Sequence, residues 1–317
     1  MDVLAANLLP WLNAAQSRLR ESAAAQRLPH SLLLLSTPGL GAESLAHWAS
    51  GFALCEASEK PCGKCSSCIL LRADSHPDFH VVRIEEDAQQ IKIDQVRDLI
   101  EALALKSYRG GYRVGLIEEA ETLNTHSANA FLKTLEEPPQ STLLIMIARP
   151  NHRLPATIAS RCLKIKLRIP SLDLAGNWLA EKTGQKRDWL SALALTGGAP
   201  LLALELDIKD IAVLETDMRE CVTQLTLDAV DITLLAERWL KSHVGLRIAW
   251  LENWITGQIR SNVEPVGLPP ALLKAKIRSL FELQDAIHEF RRFASTGMNQ
   301  QLALETLLLG GRAAFAG

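Results

Sequence analysis

The sequence predicts an α/β domain built on a parallel sheet, followed by domains that are helical throughout. Two observations carry this. Up to about residue 165, short apolar runs alternate with helical patterns, the order that builds a parallel sheet sandwiched by helices. After Pro170 the strand signals fade and helical spacing takes over. The length of 317 residues suits two or three domains. Abundant Ala and Leu, with only 5% aromatic residues, favour helix.

The elements follow in order. A helix is expected over about Ala5–Ser22. Ser31–Leu35, Phe79–Ile84, Arg113–Ile117 and Thr142–Ala148 are near-continuous apolar runs, as strands buried on both faces require. Leu163–Leu167 alternates Leu, Lys, Ile, Lys, Leu and reads as a half-exposed edge. A helix covers about Asp94–Lys106. Another, about Ser127–Glu136, aligns Ala128, Phe131, Leu132 and Leu135 on one face, and Pro138-Pro139 stops it. Residues 171–205 hold two short helical patterns broken at Gly197-Gly198-Ala199-Pro200. From 208 onwards, a stretch Val222–Ile259 carries Leu225, Trp239, Leu246, Trp250 and Trp254. A loop with Pro265, Pro269 and Pro270 follows, then helices over about Ala271–Arg292 and Asn299–Leu309. Domain boundaries are expected at 1–167, 168–207 and 208–317.

A net charge of −2 argues against a protein that wraps nucleic acid alone, because phosphate neutralisation needs surplus Lys and Arg. No run of 18 apolar residues appears, so no membrane span is expected. Met1-Asp2-Val3 lacks the charged start and apolar core of a secretory signal, which points to the cytoplasm. The six cysteines are then expected as thiols or metal ligands.

The first strand leads into Ser36-Thr37-Pro38-Gly39-Leu40-Gly41-Ala42-Glu43, where a phosphate-binding loop belongs. A working loop reads G-x-x-x-x-G-K-[ST]. Here Ser36 replaces the first glycine, Ala42 the lysine and Glu43 the hydroxyl residue, and only Gly41 survives. A carboxylate therefore faces the place of the phosphates, and the segment reads as a nucleotide site that no longer binds ATP. Gly39-Leu40-Gly41 also lacks the third glycine of a dinucleotide fingerprint.

Cys55, Cys62, Cys65 and Cys68 read C-x6-C-x2-C-x2-C. Such turns bring thiolates to one tetrahedral ion, and four thiolates leave no open position for water. One structural zinc fits this set best. An iron–sulfur cluster also uses C-x2-C-x2-C runs, but the proline that usually follows is missing. Cys162 and Cys221 stand alone and read as small buried hydrophobes.

Arg113-Val114-Gly115-Leu116-Ile117-Glu118-Glu119 has the form of an apolar strand ending in acids, as in a Walker B segment. Glu118 takes the aspartate position and is one methylene longer; taken alone, the segment equally suits a buried strand entering a solvated turn. His76-Pro77-Asp78 reads as a turn before a strand rather than an acid/base pair. Trp250 and Trp254, spaced i, i+4, read as helix packing. No G-x-S-x-G segment supports nucleophilic catalysis.

The order of these features is informative. A cysteine cluster lies between the first helix and the second strand. Leu132-Lys133-Thr134-Leu135-Glu136-Glu137-Pro138-Pro139 comes next, then Ser160-Arg161-Cys162. This arrangement closely resembles the clamp-loader branch of the AAA+ ATPases over about residues 28–200. Within that branch, the broken loop matches the delta-prime subunits of bacterial DNA polymerase III. The resemblance implies a RecA-like AAA+ domain over 1–167 with a zinc module at 55–68, a small helical lid over 168–207 and a helical collar over 208–317. Cys55, Cys62, Cys65 and Cys68 match the zinc ligands. Arg161 matches an arginine finger acting in trans on a neighbour's ATP site, with Ser160 in support. Without the family context, Arg161 reads as an ordinary ion pair before an edge strand.

Ala148 stands where a polar sensor is expected, and Ala199 where active relatives carry a second sensor arginine. With Ala42, Glu43 and Glu118, five nucleotide-handling positions are altered. The resemblance therefore implies a subunit without intrinsic ATPase activity, belonging to the DNA polymerase holoenzyme. Its partners would be gamma or tau ATPase subunits, a delta subunit and, through the complex, the sliding clamp and primer-template DNA. Two rival readings are an active ATPase of the same fold and a zinc-containing adaptor whose Arg161 is merely structural.

Overall fold

The computed structural model describes residues 9–316 except 26, 86, 87, 89, 151–153, 186, 187, 207, 264–269 and 294–298. The start of the expected helix at Ala5, the segment Met1-Asp2-Val3 and the prolines Pro265 and Pro269 lie outside the described residues. The chain divides into two compact units, Met1–Pro170 and Ser171–Gly317.

The first unit opens with a turn of 3-10 helix at Pro10–Leu12 and helix α1 (Asn13–Ala24). Strand β1 (Ser31–Leu35) follows, then α2 (Ala42–Leu54), α3 (Ser66–Arg72), β2 (Phe79–Val82), α4 (Ile93–Ala104) and β3 (Arg113–Ile117). Next come α5 (Thr125–Glu136), β4 (Thr142–Ala148), the single turn α6 (Ala156–Ala159) and β5 (Leu163–Lys166). All five strands are parallel, in the order β2-β3-β4-β1-β5. Every residue of β3 and β4 is buried, which explains their unbroken apolar runs. β5 pairs with β1 alone and exposes Lys164 and Lys166, so its alternation marks an edge as expected.

Local chemistry sets the ends of these elements. Helix α5 starts two residues before the expected Ser127, because the Asn124 side chain accepts the Ser127 N–H at 2.9 Å. β2 stops at Val82, short of the expected Ile84; the next carbonyl, of Arg83, accepts from the Gln95 side chain at 2.9 Å instead. Gly115 in β3 is required by packing: a Cβ there would stand 3.1 Å from Leu99 and 3.2 Å from both Leu103 and Leu144. α4 therefore lies close against the sheet, and Phe131, Leu103 and Val96 complete a dry core between sheet and helices.

Arg113 is buried at the start of β3 and holds three elements together. Its guanidinium donates to the carbonyls of Leu103 at 2.5 Å, Gln140 at 2.6 Å and Leu105. The first and last of these belong to the end of α4, where a cation also meets the negative end of the helix dipole.

The second unit contains α7 (Leu172–Thr183), α8 (Trp189–Leu195), α9 (Pro200–Glu205), α10 (Ile208–Thr226), α11 (Ile232–Lys241), α12 (Val244–Val263), α13 (Pro270–Phe293) and α14 (Gln300–Ala316). It differs from expectation in three places. Residues 171–205 form three helices rather than two, because Gly184 ends α7 in left-handed backbone (φ 65°) and the Asp188 side chain caps the start of α8. Val222–Ile259 is divided: Asp228 and His243 take left-handed backbone, and the Asp231 side chain caps α11. The last helix runs past Leu309, through Gly310-Gly311, to Ala316.

The break at Gly197-Gly198 is as expected. Both glycines have positive φ (68° and 79°), and the Gly198 N–H closes α8 on the Leu193 carbonyl at 2.7 Å. Trp250 and Trp254 stack at 6.4 Å, and Trp254 meets Phe315 edge-on, so both serve packing. Buried Arg247 pairs with Asp217 and lies 5.7 Å from the Trp239 ring centre. No helix among the described residues is long and apolar enough to cross a membrane.

Replacing Arg113 by Met keeps most of the side-chain volume but strands three carbonyls. A loss of about 3 kcal/mol is expected, from the cost of leaving buried hydrogen-bond acceptors unmet. Urea unfolding of the two proteins measures it, and an unchanged midpoint would contradict the bracing role.

Candidate functional site

The four clustered cysteines come from two elements. Cys55 ends α2, Cys65 caps the start of α3, and Cys68 lies within α3, with Cys62 on the loop between. Their sulfurs all lie within 4.8 Å of one another, and those of Cys55 and Cys65 are 3.9 Å apart. A tetrahedral zinc with bonds of about 2.3 Å spaces its sulfurs about 3.8 Å apart, so the donor set fits one zinc ion. An iron–sulfur cluster spreads its ligands over several irons and needs a wider cage.

Backbone geometry prepares the site for negative charge. The N–H groups of Lys64 and Cys65 donate to Cys62 Sγ at 3.4 and 3.3 Å, and that of Cys62 donates to Cys55 Sγ at 3.4 Å. The first two lower the Cys62 thiol to about 6. Burial pushes Cys55 and Cys68 up, so those thiols release protons when a cation arrives. Cys162 and Cys221 are buried apart from this set, and burial raises both thiols, in keeping with their reading as small hydrophobes.

A polar clasp fastens the cysteine loop to the sheet. Ser67 Oγ donates to Glu56 at 2.8 Å, and Arg109 donates to Glu56 at 2.9 Å and to Ser66 at 2.5 Å. His76 Nδ1 accepts the Asp78 N–H at 3.1 Å, so its proton sits on Nε2, which donates to Ser67 Oγ at 3.1 Å. Burial lowers the His76 pKa and keeps the ring neutral. Asp78 accepts from Ser107 Oγ and from the N–H groups of Tyr108 and Arg109, at 3.1, 2.7 and 3.2 Å. His76-Pro77-Asp78 is thus a structural bracket, in line with its reading as a turn.

The degenerate phosphate loop borders a cavity of about 490 Å³ at the carboxyl ends of β1–β4. Ser36, Thr37, Pro38, Ala42 and Glu43 line one side; Arg83, Glu118, Glu119, Glu121, Ala148 and Arg149 line the other. Gly39 and Gly41 keep positive φ, so the chain still makes the loop's bends. Ala42 places a buried methyl at the start of α2, and Glu43 puts a carboxylate in its first turn. That helix end favours an anion, and the protein supplies its own.

The acids after β3 have internal partners. Glu118 pairs with Arg83 at 2.9 Å, and this bond raises the arginine's pKa. Glu121, nearly buried, pairs with Arg149 at 3.5 Å and accepts that residue's N–H at 3.4 Å. The lining therefore holds four carboxylates against two guanidinium groups, each already engaged with an acid. A polyphosphate entering there meets surplus negative charge and no lysine. Arg83 and Arg149 carry no motif signal, since each becomes a counter-ion only once the strands are paired. Ala199, on which the missing second sensor was placed, is buried at the start of α9 in the second unit.

Arg161 is not among the residues that line this cavity. It follows α6 on the way to edge strand β5, with its side chain 35% exposed. Its guanidinium donates to the Thr157 carbonyl at 2.8 Å and pairs with Glu136, and its own carbonyl accepts from Ser31 at 2.8 Å. Ser160 is exposed and bonds only locally, donating to the Thr157 carbonyl at 3.2 Å. Glu136 was visible as part of the Leu-Glu-Glu-Pro-Pro run; its pairing across 25 residues was not.

The strand order 2-3-4-1-5, with a phosphate-loop remnant after β1, defines an AAA+-type domain. The sequence profile described as "DNA polymerase III, delta subunit" matches residues 11–171. DNA polymerase III subunit delta' of Pseudomonas aeruginosa is 33% identical over 96% of this chain and 97% of its own length. The subunit of the same name from Escherichia coli K12 is 32% identical over 95% and 94%. DNA polymerase III subunit tau of E. coli K12 is 36% identical, but over only 45% of this chain and 22% of its own. The chain belongs to the DNA polymerase III delta-prime subunit family.

Protein purified without chelator is expected to contain one zinc per chain, and Cys62→Ser to lower that content sharply, by elemental analysis. Because zinc competes with protons for thiolates, its affinity should weaken as pH falls, with a further drop below about 6 where Cys62 is protonated. A zinc affinity independent of pH would contradict thiolate ligation.

Proposed function

We propose that this chain is the non-hydrolysing subunit of a clamp-loader complex in the cytoplasm, and that Arg161 serves the ATP site of a neighbouring gamma- or tau-type subunit. One observation supports this most. The cavity beside the phosphate-loop remnant has both its arginines paired to acids and surplus carboxylates besides, while an arginine outside that cavity is partly exposed at the sheet edge. Phosphoryl transfer relies on positioning and charge stabilisation, and the cavity lacks the lysine and hydroxyl that supply both.

In this reading residues 168–207 act as a lid-like connector and 208–317 as a collar joining the subunits. Delta, the sliding clamp and primed DNA are reached through the assembled complex. A planar, permanently charged guanidinium suits the trans role, because it can donate two parallel bonds to a phosphate. Arg161 then links a neighbour's bound ATP to the subunit interface. After hydrolysis the link weakens, and the clamp is released to close on DNA. The cysteine module takes no chemical part; a zinc ion there would hold the loop between α2 and β2.

The pairing of Arg161 with Glu136 favours a second reading, a metal-containing adaptor in which Arg161 is only structural. Two measurements decide. Equilibrium titration of the isolated chain with labelled ATP and Mg²⁺ is expected to show no binding; micromolar affinity would sink the proposal. In the reconstituted complex, Arg161→Ala is expected to lower hydrolysis at the served site by about 10³-fold, as for other arginine fingers. Unchanged hydrolysis would leave the adaptor reading standing.

A further inference from the structure

We infer that Glu136 is a positioning residue for Arg161, an inference that rests on the proposed trans role and adds to it. Glu136 is the last residue of α5. A carboxylate is misplaced there, because the helix dipole presents partial negative charge at its carboxyl end. An acid in an unfavourable position, 51% exposed and paired with one residue across the fold, calls for a reason other than helix stability.

The geometry supplies one. Thr157 O takes one N–H of the guanidinium and Glu136 Oε1 takes another, on a different terminal nitrogen. Two bonds to separate nitrogens fix the rotation of the planar group. A guanidinium carries five N–H donors, so three remain to face an incoming phosphate in a set direction. The backbone beneath is fixed as well, since the Arg161 carbonyl accepts from Ser31 at the start of β1. A long, mobile side chain thus reaches the subunit interface with much of its orientation already set, which lowers the entropy lost when it engages. Because the pair is partly exposed, it is weak enough to adjust to the phosphate.

The test uses the full chain in a complex reconstituted with its ATPase partner subunits. Steady-state ATP hydrolysis is measured for wild type, Glu136→Ala, Glu136→Gln, Arg161→Ala and the Glu136→Ala/Arg161→Ala double variant. Glu136→Ala is expected to lower kcat about tenfold, since misplacement of about 1 Å costs up to about a hundredfold, with KM for ATP little changed. Glu136→Gln keeps an oxygen acceptor and should fall between Ala and wild type. In the double variant the loss of Glu136 should add nothing to the loss of Arg161, whereas a general structural role would make the two losses add. Additive losses, or a wild-type kcat for Glu136→Ala beside a low one for Arg161→Ala, would overturn the positioning role and leave the trans arginine intact. A wild-type rate for Arg161→Ala would remove both.

Discussion

Five parallel strands end on one side of the sheet, so Ser36, Arg83, Glu118 and Ala148 meet at the rim of one crevice. The registers are set by the pairing of β1 with β4, Leu35 opposite Ala148, and of β3 with β4, Ile117 opposite Met146. In open α/β sheets this end is where ligands gather, because loops and helix N-termini converge there. The same convergence concentrates charge at the crevice. Its acids and the start of α2 remain in place, and their fields must be met from within the chain.

Arg83 and Arg149 meet two of these acids, Glu118 and Glu121. Glu121 keeps only 6% of its side chain exposed, so an unpaired charge there would cost several kcal/mol. Glu118 is more open, at 21%, and its bond to Arg83 gives a smaller gain in solvent. The consequence for chemistry outweighs the consequence for stability. Cations that neutralise these acids leave less electrostatic reason for Mg²⁺ to enter, and the methyl of Ala42 offers nothing to a terminal phosphate. Loss of one P-loop residue is compatible with weak nucleotide binding. In this crevice both lining arginines are engaged with acids, and Glu43 and Glu119 add two further carboxylates, a charge pattern that opposes a polyphosphate.

The sequence displayed β1, β3 and β4 to the residue, because strands buried on both faces need unbroken apolar runs. It displayed the cysteine cage because ligand spacing is local. Helix limits were less legible: α4 and α5 are bounded by Arg113 and Asn124, whose hydrogen bonds form only after folding. The fully divided stretch Val222–Ile259 misled because Asp228 and His243 break helices by adopting left-handed backbone, which aspartate and histidine signal weakly. Arg83, Arg149 and Glu136 were invisible for a related reason. Each gains its role from a partner that the sheet or the α5–α6 packing brings to it.

The cysteine loop and the phosphate-loop remnant occupy opposite ends of α2, and their fates differ for a physical reason. The remnant lost its ligand residues but kept its shape, because Gly39, Gly41 and the flanking strand form the bends without help. Residues 55–65 have no regular structure to do the same, and their loop must return the chain from α2 to α3. Closing such a loop costs entropy that a small, polar segment cannot recover by burying apolar surface. Four ligands on one ion would recover it, and the clasp through Glu56, Ser67, His76 and Arg109 would carry that rigidity to β2 and the approach to β3. An ion with no open coordination position is suited to this task and to no reaction. The cysteine cage and the phosphate-loop remnant therefore share one property: each sets the path of the chain at one end of α2.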